Sequence, residues 1–331
     1  MPDNKINFAK EVEKLINPIT VGSLHFIQGF NKFLPKSVQK VFIKSSAKKM
    51  PFMGFVVEPY SSFLCYEIKD TKKANALMPK GFKLTKTSIF TDDEPKYYMI
   101  FGSFRAHTSA FWGVRNEVYI IAKNTKSGLL SWLIVDYDSN TIGYDKKYGL
   151  RSPNCEDAVF TINHRGRLFV DIKRKDKNQG LEYTADIEAG KMTPLNQRLW
   201  LEGNLSVGYG SELNGSSKDV FSLKFEPCEV EKALQLKNKD VDITSNNWYP
   251  KIIGDVPSQI VCFPYAQHFV SGSPGHSSVV KNKEELENSV ESLDFAKIRQ
   301  IPPNQFRNMF MIGSAVSFAV SVALIVALLL K

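Results

Sequence analysis

The chain has 331 residues, 43% of them hydrophobic and 23% charged, and its net charge is +9. These values are ordinary for a folded protein and exclude a mainly disordered, collagenous or coiled-coil chain. Aromatic residues make up 12%, and Phe and Tyr far outnumber Trp, which favours a strand-rich fold.

The first fifty residues carry most of the positive charge. Nine lysines against three acidic residues leave a charge of +6 there. Apolar residues recur every three to four positions and the pattern breaks at Pro18 and Pro35, which predicts amphipathic helices. Lysines recur at intervals of four, at Lys32, Lys36, Lys40, Lys44 and Lys48. Basic amphipathic helices are typical of membrane surfaces, so membrane lipids are an expected partner; the alternative is packing on the chain's own domain.

Residues 51–265 have a different pattern. Short apolar or alternating runs lie between Asn, Gly and Asp turn signals, which predicts antiparallel strands with one helix around residues 72–78. We expect one domain, a single antiparallel barrel or wrapped sheet. Residues 266–307 are predicted to form a linker with a short helix.

The last part of the chain predicts a membrane anchor over residues 308–330. Residues 309–330 are 22 positions without a charge, enough to cross a hydrocarbon core of about 30 Å. The alternative, a buried core helix, would be shorter and would show a polar stripe. The N-terminus lacks the pattern of a secretory signal, so we expect a single-pass, tail-anchored protein whose N-terminal domain faces the cytosol.

The predicted anchor also carries a strip of small side chains. Ala315, Ala319, Ala323 and Ala327 recur every four residues. Such strips let helices approach closely, which would make the protein a homodimer. The alternative is that alanine is merely tolerated in a single helix.

Motifs for several kinds of chemistry are missing from the sequence. There is no Walker loop, no GxGxxG after a strand, no HExxH and no GxSxG, and the histidines do not have metal-ligand spacing. We therefore expect no cofactor and no metal. Basic residues cluster in the N-terminal helices rather than among exposed aromatics, so a nucleic-acid partner is not expected. The four cysteines form no CxxC pair and are expected to be reduced.

Residues 102–140 contain the candidate site. In a strand that starts near residue 116, Glu117, Tyr119 and Lys123 share one face. If that face points into an apolar interior, burial would favour the neutral Lys123 amine, which could attack a ketone and form a Schiff base. The alternative is that Lys123 marks the exit of the strand into a turn. Arg105 and Arg115 could bind a substrate carboxylate.

The candidate catalytic residues are thus Lys123 and Glu117, and the candidate ligand-binding residues are Arg105, Arg115, Tyr119 and Trp112. Their order along the chain supports a family assignment. A strand at 63–70, a helix ending in the segment 77–82 with its Pro79, and then Arg115 to Glu117 followed six residues later by Lys123 resemble the acetoacetate decarboxylase-like superfamily. The resemblance covers about residues 55–265.

This resemblance implies a cone-shaped antiparallel β-barrel around an apolar cavity, with Lys123 as the Schiff-base lysine. The decarboxylase has a second, adjacent lysine that activates the first. In this chain the next residue is Asn124, so that activating charge is missing from the sequence.

Three hypotheses on function follow. The first is a membrane-anchored, decarboxylase-like barrel that binds a lipophilic acid or ketone in an apolar cavity. The second is a lyase that forms a Schiff base through Lys123. The third is a non-enzymatic membrane adaptor that binds a protein partner.

Overall fold

The computed structural model describes residues 7–16, 35, 37, 52–108, 112–141, 143–145, 149–151, 153–175, 178–272, 280–297 and 303–329. Most of the regular structure in these ranges is β-sheet. The strands are β1 (Phe52–Val57), β2 (Ser61–Glu67), β3 (Phe82–Leu84), β4 (Tyr98–Thr108), β5 (Trp112–Asn124), β6 (Leu130–Ser139), β7 (Gly143–Asp145), β8 (Gly149–Arg151), β9 (Cys155–Ile162), β10 (Arg167–Arg174), β11 (Gly180–Asp186), β12 (Lys191–Pro194), β13 (Val207–Tyr209), β14 (Lys232–Leu236), β15 (Val241–Asn246), β16 (Gln259–Phe263) and β17 (Gln267–Gly272). The α-helices are α1 (Phe8–Lys14), α2 (Thr71–Ala76), α3 (Gln197–Leu205), α4 (Lys283–Glu291) and α5 (Pro303–Leu329).

The strands form one large and one small sheet and a separate hairpin. The large sheet has the order β12-β14-β16-β2-β4-β5-β6-β13, with β1 paired to β4 and β17 and with β3 paired to β5. The small sheet has the order β15-β11-β10-β9, and β7 pairs with β8. The pairing is antiparallel except between β13 and β6. The mainly β fold predicted from the sequence is confirmed.

The closed barrel is not found in the part of the chain that the structure describes. A barrel requires its first and last strands to pair. Here the strand order ends at β12 on one side and at β13 on the other. These edge strands have four and three residues, respectively, so each offers little backbone for a further pairing.

The central strands of the large sheet are buried on both faces. One face packs against the small sheet, with Leu64 and Phe101 meeting Leu168 and Val170. We call this space the inter-sheet layer. The opposite face packs against α3, whose Trp200 contacts a cluster of aromatic side chains. We call that space the helix-side layer.

A bulge in β6 changes which side chains enter each layer. Val118 pairs with Asp136, whereas Tyr119 pairs with Ile134, so Val135 is an extra residue in β6. An extra residue shifts the alternation of side chains between the two faces. As a result Asp136 and Asp138 follow Val135 into the inter-sheet layer, and Tyr137 joins the helix-side layer.

The N-terminal helix packs on the domain. Phe8 and Val12 of α1 are buried in a cluster with Val270 of β17 and Leu293. The apolar face of α1 is therefore covered by the chain's own domain, as the alternative to membrane binding expects. The five lysines at intervals of four in residues 32–48 lie outside the described residues. The domain also extends beyond residue 265, because β17 pairs along the whole of β1.

Helix α5 is long and apolar enough to cross a membrane. The qualifying stretch is Met311–Leu329, 19 residues, and none of it is buried inside the structure. By length and composition this agrees with the anchor predicted at 308–330.

Candidate functional site

Three of the predicted site residues form one cluster in the helix-side layer. Arg115, Glu117 and Tyr119 alternate along β5 and therefore project from the same face. The guanidinium of Arg115 donates to Glu117 Oε1 through Nε at 2.9 Å, and its Nη2 lies 2.7 Å from the same oxygen. The Tyr119 hydroxyl donates to Glu117 Oε2. The side chains of Arg115 and Glu117 are only 13% and 11% exposed.

This cluster satisfies its own charges. Burial opposes the charge of Arg115, but the Glu117 carboxylate together with Tyr137 and Tyr209 outweighs burial and raises the pKa of Arg115. Burial, together with the same carboxylate, raises the pKa of Tyr119 well above its usual value. Both Glu117 oxygens accept hydrogen bonds, so this carboxylate has its partners within the protein.

Arg105 and Trp112 lie on the opposite side of the large sheet. Arg105 pairs with Val114, which belongs to the inter-sheet layer. Its Nη2 donates to the carbonyl of Phe160 on β9 at 3.1 Å, and its Nη1 lies 3.7 Å from Glu58 Oε2. Trp112 pairs with His107, and the two rings are 4.9 Å apart. The structure therefore separates Arg105 and Trp112 from Arg115, with which the sequence grouped them.

Lys123 lies in neither cluster. Its side chain is exposed at the end of β5, before a turn in which Asn124 Oδ1 accepts from the Lys126 amide at 2.9 Å. The strand pairing places Lys83 of β3 directly opposite. Lys123 thus lies where the strand enters a turn, as the alternative to a catalytic role expects. The described residues do not surround it with the apolar side chains that imine formation requires. Lys83 is also exposed, so it adds no apolar surroundings to Lys123.

A cleft opens where the two sheets meet. It has a volume of about 160 Å³ and is lined by Glu58, Pro59, Tyr60, Arg105, Phe160, Thr161, Ile162 and Leu168. A second hollow of about 310 Å³ shares Tyr60 and Ile162 with it. Phe160 and Leu168 also belong to the inter-sheet core, so the wall of the cleft is the edge of that layer. Tyr60 holds a φ of 72°, a left-handed conformation that is uncommon for a bulky residue.

A row of polar residues crosses the large sheet inside this layer. Ser62 pairs with Ser103, Ser103 pairs with Asn116, and Asn116 pairs with Asp138, so the row spans β2, β4, β5 and β6. All four residues are fully buried. The Ser103 hydroxyl donates to Asn116 Oδ1 at 3.2 Å. Ser103 is two residues from Arg105 on β4, about 7 Å along the strand, which places the row just behind the cleft.

Two side-chain N–H groups around this row lack hydrogen-bond partners among the described residues. They are Asn116 Nδ2 and Trp248 Nε1, both in fully buried residues. The Tyr183 hydroxyl, from β11 of the small sheet, interacts with the hydroxyls of Ser62 and Ser103, and the Tyr66 hydroxyl interacts with Asn246. Burial raises the pKa of the Tyr183 and Tyr66 hydroxyls, so both stay protonated and can donate. On the helix side, Trp132 Nε1 is the one such group in the described ranges.

The acidic end of the row is held by an arginine. Arg174 Nη1 contacts both oxygens of Asp136, at 3.0 and 3.1 Å, and its Nε lies 3.6 Å from Asp138 Oδ1. The Asn154 amide donates to the same Asp138 oxygen at 3.3 Å. Arg174 therefore contacts both carboxylates at this end of the row.

Sequence reasoning missed this row. Ser62, Ser103 and Asn116 are uncharged and lie within apolar strands, so they match no catalytic motif. A usable signal was present, because polar residues at interior positions of a strand need partners. Among the described residues, no group of three or more His, Cys, Asp or Glu could hold a metal ion.

Comparisons with known proteins find a distant structural likeness. No family model matches the chain, and no curated protein matches it. Among solved structures, the chain is similar to acetoacetate decarboxylase from Legionella pneumophila subsp. pneumophila str. Philadelphia 1, with 12% identity and a TM-score of 0.39. The alignment covers 70% of this chain and 87% of that chain. A likeness of this degree does not define an activity.

Proposed function

We propose that the protein is membrane-anchored and binds a small molecule with an apolar body in the inter-sheet layer. The observation that carries this proposal is the pair of buried N–H groups without partners among the described residues, Asn116 Nδ2 and Trp248 Nε1. An unsatisfied buried polar group costs about 1–3 kcal/mol. A ligand that supplies the missing acceptors offsets this cost, whereas stability alone would favour apolar side chains at these positions.

The unpartnered groups favour a ligand with an uncharged oxygen. The Asn116 amide nitrogen and the Trp248 indole nitrogen can only donate, so they require an acceptor. These donors are uncharged and do not balance the charge of a carboxylate, which costs more to bury than a neutral oxygen. Of the lipophilic acid and ketone expected from the sequence, the ketone fits this layer better.

The cleft supplies an entrance. Its walls combine the apolar side chains of Phe160, Ile162 and Leu168 with the Arg105 guanidinium at the mouth. A lipophilic acid would place its carboxylate at Arg105, although Glu58 competes for that charge at 3.7 Å. Helix α5 supports the anchoring part of the proposal, because it would hold this entrance near a membrane in which apolar molecules dissolve.

Thermal unfolding tests the ligand class. The full chain in lipid nanodiscs would be titrated with cyclohexanone, cyclohexanecarboxylate or methylcyclohexane. We expect cyclohexanone to raise Tm most, because its oxygen accepts from the unpartnered donors and stabilises the folded state. The rise should be lost in Tyr183→Phe and in Asn116→Leu. The matched control Tyr98→Phe changes a buried tyrosine in the helix-side layer and should keep the rise.

Three outcomes would contradict the proposal. If Tyr183→Phe and Asn116→Leu respond like the unaltered protein, the ligand does not occupy the layer. If no probe changes Tm, the unpartnered groups are satisfied by buried water alone. A response to cyclohexanecarboxylate that disappears in Arg105→Gln would place a carboxylate at the cleft and replace the ketone with an acid.

The other two hypotheses have less support. The exposure of Lys123 removes the apolar environment on which the imine lyase depends. The adaptor hypothesis needs a partner surface that differs from the ligand site. A group of exposed lysines near the end of β5 forms a surface of this kind, and its positive charge fits lipid head groups better than a protein.

A further inference from the structure

Five exposed lysines form a patch at one end of the large sheet. They come from three chain segments and are Lys80, Lys83, Lys123, Lys126 and Lys218. In the described ranges, none of these ammonium groups takes part in an ion pair. We call this surface the lysine patch.

Backbone contacts hold the three segments together. Lys83 and Lys123 are directly opposite in the pairing of β3 with β5. The Thr125 amide and hydroxyl both donate to the Gly81 carbonyl, each at 2.9 Å. The Asn124 side-chain amide donates to the Ser217 carbonyl at 3.3 Å. The lysines next to these anchoring points are therefore gathered by the fold itself.

This arrangement works against stability. Like charges directly opposite each other on neighbouring strands repel. Several surface lysines elsewhere are paired with acids, as in Lys69 with Glu67, Lys73 with Asp70 and Lys173 with Glu156. A fixed group of unpaired ammonium groups is a surface for a negatively charged partner.

We propose that the lysine patch binds the anionic head groups of the membrane that α5 crosses. This inference rests on the anchoring part of the proposed function and is independent of the ligand. An anchor keeps the domain at a high effective concentration near the bilayer, so weak electrostatic contacts are sufficient to orient it. Lysines close to an anionic leaflet each add to that attraction. Lys123 then has an electrostatic role at the bilayer.

Lysine acetylation, read by mass spectrometry, tests the contact on the full chain. The protein would be reconstituted in nanodiscs of phosphatidylcholine alone and of phosphatidylcholine mixed with phosphatidylserine. We expect Lys83, Lys123 and Lys126 to react about fivefold more slowly in the anionic discs, an effect that corresponds to the attraction of roughly one lysine. High salt should restore the rates by screening. Exposed control lysines on other strands, Lys173 and Lys191, should change little.

Paired variants separate this contact from a general effect of charge. Lys83→Gln combined with Lys126→Gln should abolish the protection of Lys123, whereas Lys191→Gln combined with Lys239→Gln should leave it intact. The first pair relieves repulsion, so its Tm should be unchanged or higher, which confirms folding. Equal acetylation rates in both kinds of disc, or equal protection of the control lysines, would overturn the proposal. Failure to enter nanodiscs would instead reject the anchor, and the proposal with it.

Discussion

The two faces of strand β5 carry polar residues of opposite kinds. Toward the helix-side layer, Arg115, Glu117 and Tyr119 are charged or acidic and fully paired with one another. Toward the inter-sheet layer, Asn116 is uncharged, and its amide nitrogen has no partner among the described residues. The charged cluster of Arg115, Glu117 and Tyr119 therefore has its partners within the protein, whereas the Asn116 amide can still donate to a ligand.

The difference shows that residue type alone does not identify a binding site. A charge buried in a protein needs a counter-charge and hydrogen bonds, and once it has them it contributes to structure. An uncharged amide or hydroxyl can be buried with its hydrogen-bonding capacity unused at a cost of about 1–3 kcal/mol. Unused capacity is the better indicator of a site, and it becomes visible only in three dimensions.

The largest expected effect on stability comes from removing the charge of Glu117. Glu117→Gln leaves the buried Arg115 guanidinium without its counter-charge, which should lower the free energy of unfolding by about 3 kcal/mol. Urea unfolding in detergent would measure it. The control Glu156→Gln breaks the exposed pair with Lys173 and should cost less than about 1 kcal/mol. If the two variants lose similar stability, the helix-side cluster does not depend on its ion pair.

A matched pair of tyrosine substitutions compares the helix-side layer with the inter-sheet layer. Tyr119→Phe removes a hydrogen bond to the Glu117 carboxylate and should cost about 1.5–3 kcal/mol. Tyr183→Phe removes a hydroxyl that meets only the neutral hydroxyls of Ser62 and Ser103, so without a ligand it should cost less, about 0.5–1.5 kcal/mol. Both are buried tyrosines that lose one oxygen. A loss at Tyr183 as large as that at Tyr119 would mean that the charge of Glu117 does not strengthen the Tyr119 hydrogen bond.

A third polar contact, between His268 and two glutamates, is strongest when His268 is protonated. His268 of β17 lies 2.8 Å from Glu229 Oε1 through Nδ1 and 3.4 Å from Glu13 Oε1 of α1 through Nε2. The hydrogen bond to Glu229 raises the pKa of His268, although burial opposes this. A raised folded-state pKa means that the stabilisation is complete below the unfolded value and is lost as the pH rises through the folded value.

The free energy of unfolding should therefore fall as the pH rises above about 6.5, the ordinary pKa of histidine, and the loss should be smaller than that caused by Tyr119→Phe. Urea unfolding across this range would measure the slope. In His268→Gln the slope should largely disappear, whereas His164→Gln, which alters an exposed turn residue, should retain it. An unchanged slope in His268→Gln would mean that other groups govern this pH dependence.

Sequence patterns predicted the parts of the molecule that depend on local periodicity. Alternation in residues 117–123 correctly placed Glu117 and Tyr119 on one face of a strand, and the uncharged run at the C-terminus correctly indicated a long apolar helix. Register and sheet closure depend on contacts between distant segments. The row from Ser62 to Asp138 joins residues up to 76 positions apart, and the β6 bulge that turns Asp138 inward has no clear local signature. For the same reason the sequence placed Arg105 beside Arg115, while strand alternation separates them.

The smallest expected effect concerns Lys123, which belongs to neither layer. Lys123→Met removes the amine and keeps most of the side-chain volume. Because the residue is exposed, its replacement should change the free energy of unfolding by less than about 0.5 kcal/mol, and it should leave the response to cyclohexanone unchanged.

Borohydride reduction of the unaltered protein in the presence of acetoacetate, followed by mass spectrometry, measures imine formation directly. Modification of Lys123 should be no higher than that of Lys83 and Lys126, since all three are exposed to the same solvent. Selective modification of Lys123 would show that the amine has a reactivity that its exposed position does not explain, and it would bring back the lyase hypothesis.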